Sequence, residues 1–110
     1  MAKVIPFEEL RFSPTATLFQ GGDELGVSIF VTNYDERGRG PQLHKHPYAE
    51  IFVVHAGTAL FTVGDEQLTV EAGHIVVAPP DTPHAFECAG DDTLRVVTVH
   101  TSGTLQQIDL

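Results

Sequence analysis

His44, His46 and Glu50 stand close together in a segment bounded by Gly38 and Gly57. Successive side chains of an extended strand alternate between its two faces, so residues of even number project to the same side. This alternation brings the three side chains together only if the two residues after His46, a proline and a tyrosine, keep the register. Two imidazoles and one carboxylate that converge are typical ligands of a first-row transition metal. The spacing therefore predicts a metal site inside a β structure.

His84 offers a fourth ligand, and a strand-like segment follows it. Three imidazoles and a carboxylate suit Mn, Fe, Co, Ni, Cu or Zn, whereas Ca and Mg prefer oxygen ligands. Four protein ligands fill a tetrahedral site but leave two open positions around a six-coordinate ion. A ligating imidazole must be neutral, so metal binding should weaken as the pH falls. We predict one divalent transition metal, of undetermined identity, held by His44, His46, Glu50 and His84.

The elements that must hold these ligands are short strands separated by turns. Segments rich in β-branched, aromatic or alternating apolar residues predict strands at residues 15–20, 25–33, 50–55, 59–63, 67–70, 75–78, 85–88 and 94–101. The FEEL segment suits a helical turn or an edge strand, and residues 105–110 suit another edge strand. No segment has sustained 3.6-residue apolar spacing. Seven to ten short strands predict an all-β sandwich or barrel.

Two motifs in this chain resemble those of the cupin family. The first motif has a glycine, HxH, a glutamate and a second glycine, and this chain supplies Gly38, His44, His46, Glu50 and Gly57 at the family's spacings. The second motif is matched by Gly73, Pro79 and His84, with Asp81 where the family has glycine and Cys88 where it has asparagine. Neither departure falls on a metal ligand of the family, and aspartate tolerates tight turns.

The resemblance implies a double-stranded β-helix, or jelly-roll barrel, and it implies the same four metal ligands. We expect a single cupin domain over residues 1–110, with motif 1 at 38–57 and motif 2 at 73–88. Cupins carry out several reactions, and a fold does not fix a function. The leading hypothesis is a metal-dependent, dioxygenase-like enzyme acting on a small organic molecule, with its catalytic residues unknown. The alternatives are a non-catalytic ligand-binding or sensing module, a Lewis-acid isomerase, and a barrel with an unused site.

Composition and charge limit the partners. With 110 residues and a net charge of −9, the chain is suited to one domain and unsuited to binding nucleic acid. No apolar run approaches the length of a membrane span, and the first residues lack the pattern of a secretory signal. The single cysteine forms no internal disulfide. We therefore expect a cytoplasmic protein with a small-molecule ligand or substrate, no nucleic-acid partner and no membrane partner.

The strand at 25–33 carries apolar side chains on both faces, so it is either covered on both sides or faces a partner subunit. Small jelly rolls also expose sheet edges, and pairing two copies protects them. The resemblance to cupins, which are commonly dimeric, points the same way. We predict a homodimer.

Several other residues allow two interpretations. A basic group beside motif 1 either attracts an anionic substrate or forms a solvated loop; its members are Arg37, Arg39 and Lys45. Cys88 is either a soft ligand and oxidisable thiol or a small buried hydrophobe. Three aromatic residues line a substrate pocket or fill the core: Tyr48, Phe52 and Phe86. His100 would act as a general base only if it faced inward, and no role is assigned to it.

Overall fold

The computed structural model describes residues 1–110, and the predicted all-β fold is confirmed. A 3₁₀ turn at Phe7–Leu10 and one short helix, α1 (Gly22–Leu25), accompany eleven strands. The strands are β1 (Arg11–Ser13), β2 (Ala16–Gln20), β3 (Ser28–Tyr34), β4 (His44–Lys45), β5 (Glu50–Ala56), β6 (Thr58–Val63), β7 (Glu66–Glu71), β8 (His74–Ala78), β9 (His84–Cys88), β10 (Leu94–His100) and β11 (Ile108–Asp109). Neither helical segment is long and apolar enough to cross a membrane.

The strands form two antiparallel sheets. The six-stranded sheet has the order β1-β2-β3-β10-β5-β8, and the five-stranded sheet has the order β11-β4-β9-β6-β7. Strands that follow one another in the chain often lie in different sheets, as β4 and β5 do. This is the double-stranded β-helix, or jelly roll, that the motifs implied.

The core lies between the two sheets and comes from strict alternation along their strands. Phe52 and Val54 of β5 are buried beside Val96 of β10, and Phe61 and Phe86 are contributed by the five-stranded sheet. Residues of the other parity are more exposed on most of these strands. Since side chains two residues apart share a face, a strand that starts with a site residue continues directly into the core.

The third strand differs from its prediction. It begins at Ser28 because residues 22–25 form a helical turn, which ends at Gly26 with a left-handed φ of 69° and an N–H bonded to the carbonyl of Gly22. Its inward face carries Ser28 and Thr32, whose hydroxyls donate to the carbonyls of Ser102 and Val96 at 2.8 and 2.9 Å. The buried residues of β3 are therefore the polar Ser28 and Thr32, and the apolar Ile29 and Val31 lie on the opposite face.

The strand count also exceeds the predicted seven to ten. Besides the eight predicted strands there are β1 and β4, and also β11, which lies within the edge strand suggested for residues 105–110; these three have two or three residues each. Elements this short hold too few residues to show any periodicity, so only their pairing with neighbours defines them.

The outward side of the six-stranded sheet is apolar over five strands. Cross-strand pairing aligns its residues in two rows: Phe19, Ile29, Val99, Ile51 and Val77; and Thr17, Val31, Val97, Val53 and Ile75. We call these ten residues the outer apolar face. None of them is charged, and Ile75 and Val77 are 64% and 57% exposed.

Candidate metal centre

The four predicted ligands come together from both sheets. His44 opens β4 and pairs with His84, which opens β9 of the same sheet, whereas Glu50 opens β5 of the opposite sheet. The chain leaves regular strand structure at residues 46–49, so the side chains do not converge by alternation along one strand. Alternation along one strand, the reason given above for their convergence, was therefore wrong. They meet because the ends of two facing sheets approach each other.

A tight turn after β8 supports His46. Asp81, at the position where the motif has glycine, adopts a left-handed φ of 59°. Its N–H donates to the carbonyl of His46 at 2.7 Å. Aspartate is one of the few residues that tolerate this conformation, so the turn survives without glycine.

The ligand atoms are close together and screened from solvent. One atom from each of the four residues lies within 4.8 Å of every other, and all four residues are at most 5% exposed. Oε1 of Glu50 lies 3.0 Å from Nε2 of both His46 and His84. Two ligands at right angles around an ion at about 2.1 Å from each would be about 3.0 Å apart, so the spacing fits direct ligation.

Backbone carbonyls fix the orientation of all three imidazoles. Nδ1 of His44 lies 2.5 Å from the carbonyl of Gln42, and Nδ1 of His84 lies 2.8 Å from that of Thr82. Nδ1 of His46 lies 2.6 Å from the carbonyl of Gln106. A carbonyl only accepts, so each Nδ1 donates, and each neutral ring keeps a lone pair on Nε2. This arrangement is typical of histidines that bind a metal through Nε2.

The donor set fits a transition metal and fits a metal-free cluster poorly. Nε2 of His46 is buried and has no hydrogen-bond partner, since Glu50 lies at a suitable distance but in an unsuitable direction. A neutral Nε2 lone pair that faces a carboxylate oxygen is repelled by it. A cation between them would satisfy both groups. The residues present therefore suit the metal that the motifs imply.

Electrostatics keep the ligands in the forms that a metal needs. Burial by itself would raise the pKa of the Glu50 carboxyl, but hydrogen bonding, above all the bond donated by His100, outweighs burial and holds this pKa well below its ordinary value. Burial lowers the pKa of His44, and its two histidine neighbours add to that effect. The carboxylate is thus charged and the His44 imidazole neutral at pH 7, as ligation requires.

His100 faces inward, which the sequence left undecided. It is 2% exposed, and its Nε2 lies 3.2 Å from Oε2 of Glu50. Its Nδ1 lies 2.7 Å from the hydroxyl of Tyr48, whose ring stacks on His46 at 4.8 Å between centroids. With Nε2–H towards the carboxylate, Nδ1 accepts from the tyrosine. The charge of Arg95, which marks the solvent-facing parity of β10, was the available signal for this orientation.

A cavity of about 320 Å³ lies beside the centre and reaches His44, Glu50 and His100. Its wall includes four aromatic side chains: Phe12, Phe30, Tyr34 and Phe86. No lysine or arginine lines it. Of the three aromatic residues with two interpretations, Phe86 belongs both to this wall and to the core, Phe52 belongs to the core, and Tyr48 packs on the ligand set.

The remaining candidates lie apart from the centre. Arg37 makes a 2.9 Å ion pair with Asp91, and Arg39 lies 3.7 Å from Glu36, all at the surface. Neither arginine lines the cavity, which favours the solvated-loop interpretation. Cys88 is 1% exposed within the apolar core and is a small buried hydrophobe.

The chain matches a family model described as "Cupin domain" over residues 30–100. One curated relative, an uncharacterised protein of Methanocaldococcus jannaschii, is 36% identical over 56 residues, which are 50% of this chain. The match spans 45% of that relative.

Solved structures share the fold. A conserved protein of Klebsiella pneumoniae with a double-stranded β-helix domain superimposes with a TM-score of 0.77 at 19% identity, covering 98% of this chain and 96% of that one. The oxalate decarboxylase of Bacillus subtilis, which has Mn(II) centres, gives 0.74 at 19% identity, covering 89% of this chain and 29% of that one. Identities this low establish likeness of fold alone.

Proposed function

The chain belongs to the cupin family, and on that basis we propose that it is a metal-dependent, dioxygenase-like enzyme acting on a small organic molecule. The metal would be one divalent transition ion held by His44, His46, Glu50 and His84. The substrate would enter the adjacent cavity. A cytoplasmic location remains a prediction from the sequence.

One observation carries this proposal: four buried ligand atoms converge at the side of a cavity of substrate size. His44 and Glu50 belong both to the ligand set and to the cavity wall, so a molecule in the cavity lies against the centre. A structural clamp would have no need of such an opening. Small-molecule sites are typically apolar cavities with a few converging polar groups, and this cavity has that composition.

The chain's own residues would position the reactants. A bound Fe, Mn, Cu or Ni ion would supply open coordination positions and one-electron chemistry. Glu50 contributes the only negative charge among the ligands, and His100 holds its second oxygen in place. The aromatic wall excludes water from the substrate and orients its apolar part.

The hydrogen bonds of His100 bear on the alternative functions. Both of its ring nitrogens have partners in the structure, Glu50 and Tyr48. A Lewis-acid isomerase needs proton transfers to the substrate, for which His100 would have to exchange one of these partners. A non-catalytic ligand-binding or sensing cupin needs none, and it remains the second candidate. Turnover of a substrate would distinguish an oxygenase from this non-catalytic cupin.

Metal content tests the proposal first. We expect elemental analysis by mass spectrometry to find about one Fe, Mn, Cu or Ni per chain in the purified protein, and almost none in a His44→Ala, His84→Ala double variant. The loaded protein should then consume oxygen with a member of a panel of enols, thiols and catechols. Zinc alone, or no uptake with any member, would argue for the non-catalytic candidate. Absence of any metal would refute both.

The predicted homodimer would form through the outer apolar face. Contiguous apolar surface that is only partly covered, as on this face, is typical of an interface. With a net charge of −9 two copies repel each other, and the ten residues of this face include no charge, so the copies can meet there. Two sheets packed face to face about a two-fold axis bury the same patch on both chains.

Light scattering at micromolar concentration should give the mass of two chains for the wild type. A Val97→Glu variant places a charge at the centre of the outer apolar face and should give the mass of one chain. Leu68→Glu, on the opposite sheet and 39% exposed, is the matched control and should remain a dimer. A monomeric wild type, or dimeric Val97→Glu protein with native circular dichroism, would contradict this interface.

A further inference from the structure

A buried hydroxyl in the cavity has no partner in the protein. Thr98 is 2% exposed, lines the cavity, and its Oγ1 makes no hydrogen bond. A buried hydroxyl without a partner is costly, and nearly all such groups are satisfied in folded proteins. Thr98 lines the cavity, so rotation about its Cα–Cβ bond would turn this hydroxyl towards a ligand there.

Thr98 has a defined position relative to the metal centre. It pairs with Phe30 of β3 and Phe52 of β5 in the middle of the six-stranded sheet. His100, two residues further along the same face, contacts Glu50. Two residues of strand span about 7 Å, so a ligand bound at the metal centre must extend over about that distance to reach the Thr98 hydroxyl.

The cavity between Thr98 and the metal centre determines which kind of ligand fits. Phe12 and Phe30 pack edge to face at 5.2 Å, and Tyr34 and Phe86 do so at 6.0 Å, so aromatic edges and faces surround the space. Aromatic rings prefer such partners. A volume of about 320 Å³ is near the lower limit of typical ligand sites, which span about 300–1,000 Å³, and it suits a single ring.

Charge restricts the head group. A divalent ion and the Glu50 carboxylate together carry one positive charge, which one monoanionic ligand neutralises. A dianion would leave net negative charge in a buried cavity that no lysine or arginine lines. The site therefore suits a singly charged head group.

From these observations we propose that the cavity binds a small aromatic monoacid with a hydrogen-bonding substituent on its ring, and that the Thr98 hydroxyl recognises this substituent. The inference rests on the proposed function, because the metal holds the acid group. Thr98 acts as a specificity-determining residue. Its hydroxyl can donate or accept, so phenol and amine substituents both satisfy it.

Calorimetric titration of the purified protein with benzoate, 3-hydroxybenzoate, 4-hydroxybenzoate and oxalate tests this proposal. We expect at least one hydroxybenzoate to bind about 3- to 10-fold more tightly than benzoate, the usual gain from one hydrogen bond. Oxalate should bind more weakly than benzoate. Stronger binding of oxalate, or no preference for either hydroxybenzoate, would overturn the ligand class.

Thr98→Val should abolish the preference for the ring hydroxyl, so that this variant binds hydroxybenzoate no more tightly than benzoate, and it should keep its metal content. Thr32→Val is the matched control, since Thr32 also lines the cavity but its hydroxyl is bonded to the carbonyl of Val96. It should keep the preference and lower the melting temperature, whereas Thr98→Val should not lower it. A preference that survives in Thr98→Val, or is lost equally in both variants, would overturn the role of Thr98.

Metal content measured in parallel keeps the two proposals separate. Protein without metal would refute the proposed function, and the anchoring of the acid group would fall with it. Protein that contains metal but lacks the hydroxyl preference would refute the Thr98 inference alone.

Discussion

Replacing Glu50 by glutamine should weaken the binding of a divalent transition metal by more than about 100-fold. Partners that only orient a metal ligand typically contribute about 10- to 100-fold to affinity, and a direct anionic ligand should exceed that range. Glu50 is the only anion among the four ligands, and its Oε1 lies 3.0 Å from Nε2 of both His46 and His84. Glutamine keeps the volume but removes the charge, so the cavity walls should stay in place.

Competition with a metal indicator at pH 7 would measure this affinity. Glu87→Gln, which makes the same change at an exposed position on β9, is the control and should bind metal like the wild type. An affinity for Glu50→Gln within a few-fold of the wild type would show that this carboxylate does not ligate the metal. The assignment of the centre would then be wrong even if the histidines still bound an ion.

Phe52→Ala should lower the free energy of unfolding by about 3–5 kcal/mol, the usual cost of truncating a buried phenylalanine. Phe52 is 1% exposed and packs edge to face against Phe61 and Phe86 at 5.1 and 5.8 Å. The sheets meet around this ring, so little can move in to fill the space. Since domains of this size are stable by about 5–15 kcal/mol, much of the stability should be lost.

Urea unfolding of the metal-free protein in a chelator would measure this loss without a contribution from metal binding. Phe7→Ala is the control, because Phe7 is 61% exposed and its truncation should change stability by no more than about 0.5 kcal/mol. Phe52 also packs against the ring of His84 at 5.6 Å, so the variant should bind metal more weakly as well. A loss below about 1 kcal/mol would mean that the core closes over the cavity.

Much of the fold was predictable because its strands are regular. Residues 50–56 and 84–88 alternate between buried and less buried positions, and the aromatic and β-branched residues of the first segment are typical of strands. The region before β3 was not predictable in this way, since Val27 has strand propensity, while Gly22 and Gly26 adopt the positive φ angles at the two ends of a helical turn. Local conformation at Gly22 and Gly26 outweighed propensity there.

Residue types and spacing by themselves determined the all-β class and the four candidate ligands. Both depend on patterns within a few residues: alternation within a strand, and a histidine pair followed by a glutamate. Only the tertiary structure decided how the ligands meet, because His44 and Glu50 belong to opposite sheets joined by an irregular segment. It also decided that His100 contacts Glu50 and that Thr98 is left without a partner. The contact between His100 and Glu50 joins residues 50 positions apart, and no local rule specifies which strands become neighbours.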